Sequence, residues 1–358
     1  MANDTQPTTK KAVISAFGDV SNIDIITEPI PPPLQNEVQV GVIYSGFSGA
    51  DIHMRLGRYP RQPSAPLTPG YCFVGRVRAN GSACTKFQVG DRVAALTVYG
   101  SQSELVNIPQ GKLIPVPADI DSQVACALVL DWATAYAMVF NTARVAEKQR
   151  VFVHGLSGAV GQAIMSLSQL QGAAVYGTSS ERNHEDLKRM GAVPFSYKDQ
   201  KWIKEMQNLG GAHVVFDALG FESFDRSYSI LCHHEPARLV GYGANLPYLG
   251  EDKGKFESPV PSVVKLLMRN AAVWSNKSTR FYDISKDKDF TENLARLMQL
   301  VQQGELKVPI KQVWGLDDIR EAHSGWGKAR GMGSVLIRVA NEVSLPSIEV
   351  SAVAESGV

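Results

Sequence analysis

Two rhythms divide the chain. Up to about residue 130, apolar and polar positions alternate in short runs, "EVQVGVIYSG", "CFVGRVRANG", "DRVAALTV" and "ELVNIP", separated by Gly, Pro and Asn turn signals. Period-two runs at that spacing predict an antiparallel, barrel-like β domain. From about residue 150 the strand-like runs are "RVFVH", "AVYGTS", "VPFSY", "HVVFDAL" and "ARLVGYG", and helical stretches such as "AVGQAIMSLSQLQG", "RNHEDLKRMG" and "FESFDRSYSIL" lie between them. Strands alternating with helices predict crossover units and a parallel sheet. After about residue 275 the alternation fades into one amphipathic helix, "FTENLARLMQLVQQG", then "VPIKQVWGLDDIREAHSGW" and a final strand, "GSVLIRV". Residues 341–358 have weak periodicity and are expected to form a flexible tail.

Composition narrows the class. At 358 residues the chain exceeds what one core usually serves, so two domains are expected. Lys plus Arg number 36 against 35 for Asp plus Glu, a net charge of +1 with no basic block, which argues against a nucleic-acid partner. The start, "MANDTQPTTKK", has no apolar core of a signal peptide, and the longest apolar run, "VACALVL", stops at Asp131, short of the ~20 residues of a membrane span. The expectation is a soluble, cytoplasmic protein. Cys72, Cys84, Cys126 and Cys232 are widely spaced, so free thiols are expected rather than a disulfide or metal framework.

Chemistry gathers first at "HGLSGAVG", residues 154–161, between a strand-like and a helix-like stretch. On its own this turn has two readings, a tight turn or a phosphate cradle. The unit as a whole favours the cradle, because backbone amides and a helix N-terminus can meet a pyrophosphate there. Ser157, Gly158, Ala159, Val160 and Gly161 are its cofactor-facing residues, with Gly161 letting the helix pack closely on the strand. The spacing is G-x-x-G-x-x-G, and about 20 residues further on the second strand ends where a ribose ligand belongs. Thr178, Ser179 and Ser180 stand there, followed by Glu181 and Arg182. Hydroxyls beside a guanidinium suit a 2′-phosphate, which points to NADPH, while Glu181 is a rival ligand for the ribose.

Together these pieces resemble the medium-chain dehydrogenase/reductase superfamily, and within it the zinc-free quinone oxidoreductase (zeta-crystallin-like) branch. The resemblance spans roughly residues 10–340 and rests on "YSGFSGADIHMRLGRYP", "TPGYCFVGRV", "VGDRVAAL", "LVLDWATAYAMV", "VFVHGLSGAVGQA", "VVFDALG", "LVGYG" and "GSVLIRV" in that order. It implies an α/β protein: a GroES-like, partly barrel-shaped β-rich catalytic domain interrupted by an inserted Rossmann dinucleotide-binding domain, with the active site in the cleft. The expected division is 1–130 with 276–340 for the catalytic domain and 131–275 for the NADPH-binding domain. The branch is usually dimeric, so a homodimer acting on a small-molecule substrate is expected.

Zinc-dependent members of the superfamily use a Cys, a His and a Cys as catalytic ligands. The matching positions here are Ser48, Tyr71 and Leu130, which do not form a zinc site. No metal is therefore expected, and without a Lewis acid alcohol oxidation is a poor proposal. The resemblance places Thr134 near the nicotinamide carboxamide, Tyr197 beside the 2′-phosphate, and Leu219, Gly220, Gly241, Tyr242 and Gly243 in strand-end turns over the nicotinamide nucleotide.

On the substrate side, Ser48, His53, Arg55 and Tyr59 stand where the branch presents Asn, Tyr, Arg and Tyr, so the first two depart from its pattern. Tyr71, Asp131 and Trp132 border the same region. Asp51 is expected to be structural, and His154 a packed strand end. The expected reaction is NADPH-dependent reduction of a quinone or of the C=C bond of an α,β-unsaturated carbonyl compound, with Tyr59, His53 and Arg55 as candidate donors to the developing oxyanion. Two other readings stay open: a pathway-specific enoyl or ketone reductase of secondary metabolism, and a non-catalytic, crystallin-like NADPH-binding protein.

Overall fold

A computed structural model describes residues 6–248, 258–272, 274–328 and 330–341. The tail expected beyond Asn341 lies outside the described residues. The chain divides into two compact units, one running to Cys126 with Val313–Ser324 and the stretch from Leu336, the other comprising Ala127–Gln312 and Gly325–Val335. The first boundary falls close to the expected residue 131. The return falls at Val313 rather than 276, because both the extra edge strand Lys277–Phe281 and the helix Phe290–Gln302 belong to the second unit.

The strands in chain order are β1 (Thr8–Ile14), β2 (Ile23–Pro29), β3 (Glu37–Phe47), β4 (Cys72–Asn80), β5 (Arg92–Leu96), β6 (Leu105–Pro109) and β7 (Ile114–Pro115). They continue as β8 (Arg150–His154), β9 (Ala174–Ser179), β10 (Val193–Ser196), β11 (Val214–Asp217), β12 (Ala237–Gly241), β13 (Lys277–Phe281), β14 (Ile310–Gly315) and β15 (Ser334–Arg338). In the first unit β1 and β2 form an antiparallel ribbon, and a seven-stranded GroES-like sheet runs β14-β15-β3-β4-β5-β7 with β6 paired to β3. Strand β3 is its spine: Val38, Val40, Val42 and Ile43 are all buried, and the register shifts between Val42 and Tyr44 bend the strand.

The second unit holds a six-stranded parallel sheet in the order β10-β9-β8-β11-β12-β13. This is the doubly wound dinucleotide-binding order, whose switch point lies between the first strand of each half, here β8 and β11. Phe152, Val215 and Leu239 pack there with Trp202, Met206, Phe224 and Leu266 in one buried cluster. The register aligns His154 with Thr178 across β8 and β9, and Asp217 with Gly241 across β11 and β12. Polar side chains thus collect at the carboxyl ends of the strands, where such sheets bind ligands.

One correction concerns the apolar run that ends at Asp131. The helical stretch Ser122–Ala143 continues through it for 22 residues, with a mean hydropathy of 1.5, and is the one helix among the described residues that is long and apolar enough to cross a membrane. Its most apolar window is 78% buried inside the protein, as expected of a core helix. Two π-helical segments, Leu128–Trp132 and Ala137–Ala143, interrupt it.

Candidate active site

The dinucleotide half is built on the ends of β8, β9 and β11. After His154 the chain turns through Gly155 and enters the helix Ala159–Leu170, whose N-cap is Gly158. No side chain caps that helix, so its first amides are left for an anion. A Cβ on Gly161 would lie 2.2 Å from the Gly155 carbonyl oxygen, which explains the glycine: any side chain would push the helix off the turn. The turn is braced by Gly333, whose N–H donates to the Ser157 carbonyl at 3.3 Å. A backbone cradle, an open helix start and exposed glycines fit a pyrophosphate.

At the end of β9, Ser179 is buried, Ser180 is partly exposed and Arg182 is exposed. Glu181, the rival ribose ligand, is exposed, and one of its carboxylate oxygens accepts the Ser196 hydroxyl at 3.0 Å. Tyr197, just past β10, is exposed. The structure adds a residue that sequence reasoning missed: Lys311, whose ammonium is held below the ordinary lysine range first by burial and then by the Arg182 guanidinium. Lys311 is thus a further candidate, beside Arg182, for a contact to a phosphate.

Beyond β11, Asp217 Oδ1 accepts the backbone N–H groups of Leu219 (2.7 Å) and Gly220 (3.2 Å), fixing the turn in which Gly220 takes φ +73. The following loop rides on it: Tyr242 N–H donates to the Asp217 carbonyl, Asn245 to Ala218 and Leu246 to Leu219. Gly243 has no room for a side chain against the Ala218 carbonyl. Burial pushes the Tyr242 hydroxyl upward, with Asp217 and Asp131 adding to it. Thr134 is buried.

Three assignments in this half are corrected. Trp132 is 1% exposed and belongs to the core, so it borders no substrate. Asp131 is also buried, accepts the Ser334 hydroxyl at 2.6 Å and is pushed up to about 6 by burial, a structural tie rather than a substrate contact. Gly241 is a packing glycine, because its missing side chain would meet Phe224 at 2.8 Å and Leu266 at 3.0 Å.

The polar groups of the first unit are set by the short helix Gly49–Arg55. Ser48 caps it, its Oγ accepting the Ala50 N–H at 3.2 Å while Asp51 accepts the Ser48 N–H at 2.9 Å. Ser48 is therefore a helix cap rather than a free substrate ligand. Arg55 is buried and donates to the Gly18 carbonyl, so it anchors a neighbouring loop and is withdrawn as a candidate donor. His53 is only partly buried.

Tyr59 and Tyr71 do come together. The Tyr59 hydroxyl donates to that of Tyr71 at 2.7 Å, and the rings meet edge to face with centroids 5.9 Å apart. Tyr99, which sequence reasoning missed, completes the group at 6.1 Å from Tyr59 and nearly perpendicular to it. Its hydroxyl is buried without a hydrogen-bond partner and is pushed up to about 12 by burial, so it stays protonated across the physiological range. A buried phenol with no acceptor is costly unless a ligand oxygen satisfies it.

Asp51 yields a stability prediction. Burial pushes its carboxyl up to about 7. A carboxyl raised in the folded state binds its proton more tightly there than in the unfolded chain, where it titrates near ~3.9, so it lowers stability as pH rises from about 4 to about 7. Asp51→Asn is expected to remove that decline, measured by denaturant unfolding across the window. Parallel wild-type and variant curves would contradict it.

Among the described residues, one group of three candidate metal ligands stands together: His213, Cys232 and Glu235, their ligand atoms within 4.8 Å of one another. His213 Nδ1 accepts the Arg150 N–H at 2.9 Å, which leaves the proton on Nε2, facing Glu235 at 3.3 Å. Metal-binding imidazoles ordinarily donate from their second nitrogen, so this group does not have the donor set of a metal site.

Comparison with known proteins follows the same lines. Residues 34–118 match the family model of the alcohol dehydrogenase GroES-like domain, and residues 190–337 match that of the zinc-binding dehydrogenase. The chain is 28% identical over 338 residues to the human synaptic vesicle membrane protein VAT-1 homolog, covering 91% of this chain and 85% of that one. It is 25% identical over 328 residues to a probable quinone oxidoreductase of Schizosaccharomyces pombe, covering 90% and 95%. Among solved structures, Escherichia coli quinone oxidoreductase complexed with NADPH superposes with a TM-score of 0.77 at 22% identity, covering 92% and 99%. The chain belongs to the medium-chain dehydrogenase/reductase superfamily, whose members are oxidoreductases that bind NADP. Within it the chain is similar to quinone oxidoreductases and to VAT-1 homologs.

Proposed function

We propose that this protein is a zinc-independent, NADPH-dependent reductase of a quinone or of the C=C bond of an α,β-unsaturated carbonyl compound, acting in the cytosol as a homodimer. One observation carries the reading. Tyr71, at a position where zinc-dependent relatives place a metal ligand, instead joins Tyr59 and the partnerless phenol of Tyr99. Such a group suits a flat acceptor whose oxygen gathers negative charge, and it offers no Lewis acid for an alkoxide.

The chain's own residues divide the work. The turn Ser157–Gly161 would hold the pyrophosphate, and Ser180, Arg182, Tyr197 and Lys311 the 2′-phosphate. Leu219, Gly220 and Gly243 would bear on the nicotinamide nucleotide. When bound, NADPH supplies the hydride. Tyr99 would donate to the acceptor's carbonyl oxygen, joined by Tyr59 once its hydroxyl turns from Tyr71 to the ligand, and His53 or water would protonate the enolate.

The test is NADPH oxidation with a panel of quinones and enones, run with and without a chelator. Turnover with at least one acceptor, unchanged by the chelator, is the expected result. Tight NADPH binding with no turnover on any acceptor would favour a non-catalytic role, and loss of activity in the chelator would overturn the zinc-independent assignment.

A further inference from the structure

Below the cofactor-facing turns runs a line of buried polar side chains to which the proposed reaction assigns no role. Asp217 is fully buried and its Oδ2 accepts two hydroxyls, Ser223 at 2.7 Å and Ser227 at 2.6 Å. His154, 3% exposed, has Nε2 at 3.0 Å from Ser227 Oγ and Nδ1 at 3.2 Å from Thr178 Oγ1. Thr178 Oγ1 in turn accepts the Gly155 N–H at 3.3 Å.

The proton positions follow from counting donors. Ser227 gives its only hydroxyl hydrogen to Asp217, so at the imidazole it can only accept, and His154 must carry its proton on Nε2. A neutral ring protonated there has a bare Nδ1, so Thr178 donates to it and is free to accept from Gly155. Burial lowers the imidazole below its ordinary range, in keeping with the neutral ring. Every group in the line is satisfied in one sense only: Gly155 N–H to Thr178, Thr178 to His154, His154 to Ser227, Ser227 to Asp217. Asp217 then holds the amides of Leu219 and Gly220.

We infer that His154, Thr178, Ser227 and Asp217 form a single directed hydrogen-bonded chain that couples the glycine turn after β8 to the Leu219–Gly220 turn after β11. His154 is its central positioning residue. The coupling matters to function through the dinucleotide reading above: the turn expected to hold the pyrophosphate and the turn expected to meet the nicotinamide ribose are set against each other by one line of protons. A fully satisfied buried network of this kind resists distortion at either end.

The test is amide hydrogen exchange on the full-length protein without cofactor, so its outcome does not depend on the dinucleotide reading. Thr178→Val cuts the line beside Gly155. It should speed exchange at Gly155 and also, at the far end, at Leu219 and Gly220, by about three- to thirty-fold if the coupling lies in the range usual for shared networks. Ser227→Ala should act in the opposite direction, loosening Gly155. His154→Gln should restore near wild-type protection, because its amide can donate to Ser227 and accept from Thr178, whereas His154→Leu should not. Nitrogen NMR of the wild type at about neutral pH should find the His154 proton on Nε2. Effects confined to the turn next to each substitution, or a proton on Nδ1, would overturn the proposal. NADPH titration of the same variants should show weakened binding. A wild type that binds no NADPH would instead overturn the cofactor assignment while leaving the exchange result to stand.

Discussion

Arg182→Ala combined with Lys311→Ala is expected to abolish the preference for NADPH over NADH. Each charge-assisted contact to a 2′-phosphate contributes ~1.5–3 kcal/mol, so losing both should weaken NADPH by roughly a hundred-fold or more. NADH, which lacks that phosphate, should bind about as before. The two cations sit close enough that Arg182 depresses the Lys311 ammonium, so each single variant relieves a repulsion in the free protein as well as losing a contact. The single losses, about ten- to a hundred-fold each, are therefore expected to be non-additive. Fluorescence titration with both cofactors checks this, and an equal loss for NADPH and NADH would refute the assignment.

The second large effect is expected at the tyrosines. An oxyanion donor stabilises the transition state more than the ground state, and removing one such donor costs ~2.7–4 kcal/mol in well-studied sites. Tyr59→Phe and Tyr99→Phe should each lower turnover about a hundred-fold or more at saturating NADPH, with little change in NADPH affinity. The pH profile separates the phenols from His53. The Tyr99 hydroxyl, pushed up to about 12, keeps its proton throughout the working range, so its contribution is flat with pH. A protonated imidazole donor would make turnover fall as pH rises through neutrality. Near wild-type turnover in both phenylalanine variants would remove the tyrosine cluster from the chemistry.

Much of the architecture was legible because burial leaves a period in the sequence. Strands β3, β4, β8, β9, β11 and β12 announce themselves by runs of Val, Phe and Leu. Strand β13, "KSTRF", does not, since it is the edge strand of its sheet and carries charge on the residues a core strand would make apolar. The expected return at 276 therefore stops short of this strand, and the helix Phe290–Gln302 carries the second unit on to Gln312. Strands β1 and β2 are hidden for a related reason: they pair as a separate two-stranded ribbon whose apolar residues are broken up by Thr8, Thr9, Lys10, Lys11, Asp24, Thr27 and Glu28.

The candidate site was legible where backbone geometry dictates residue type, as at Gly161 and Gly220, and less so where a side chain's direction decides. Arg55, Trp132 and Asp131 are the right residue types at matching positions, yet all three are turned into protein. Tyr99 and Lys311 carry no local motif; their meaning comes from Tyr59 and Arg182, which lie far off in the chain. The His154 line is of the same kind, readable only once the register sets His154 against Thr178.

Hydride reduction of a conjugated acceptor by NADPH can be followed with NADPH carrying deuterium on each face of C4 in turn. The acceptor is whichever quinone or enone the panel identifies, and the product is read by mass spectrometry and NMR. Deuterium from one face alone is expected to leave the nicotinamide, appearing at the β-carbon of an enone or, for a quinone whose hydroxyl deuterium exchanges into water, read as its loss from the NADP formed, with equal efficiency in the presence of a chelator. An enone product without deuterium from either label, quinone turnover in which the NADP formed loses label from both faces alike, or transfer that requires added zinc would contradict this reading.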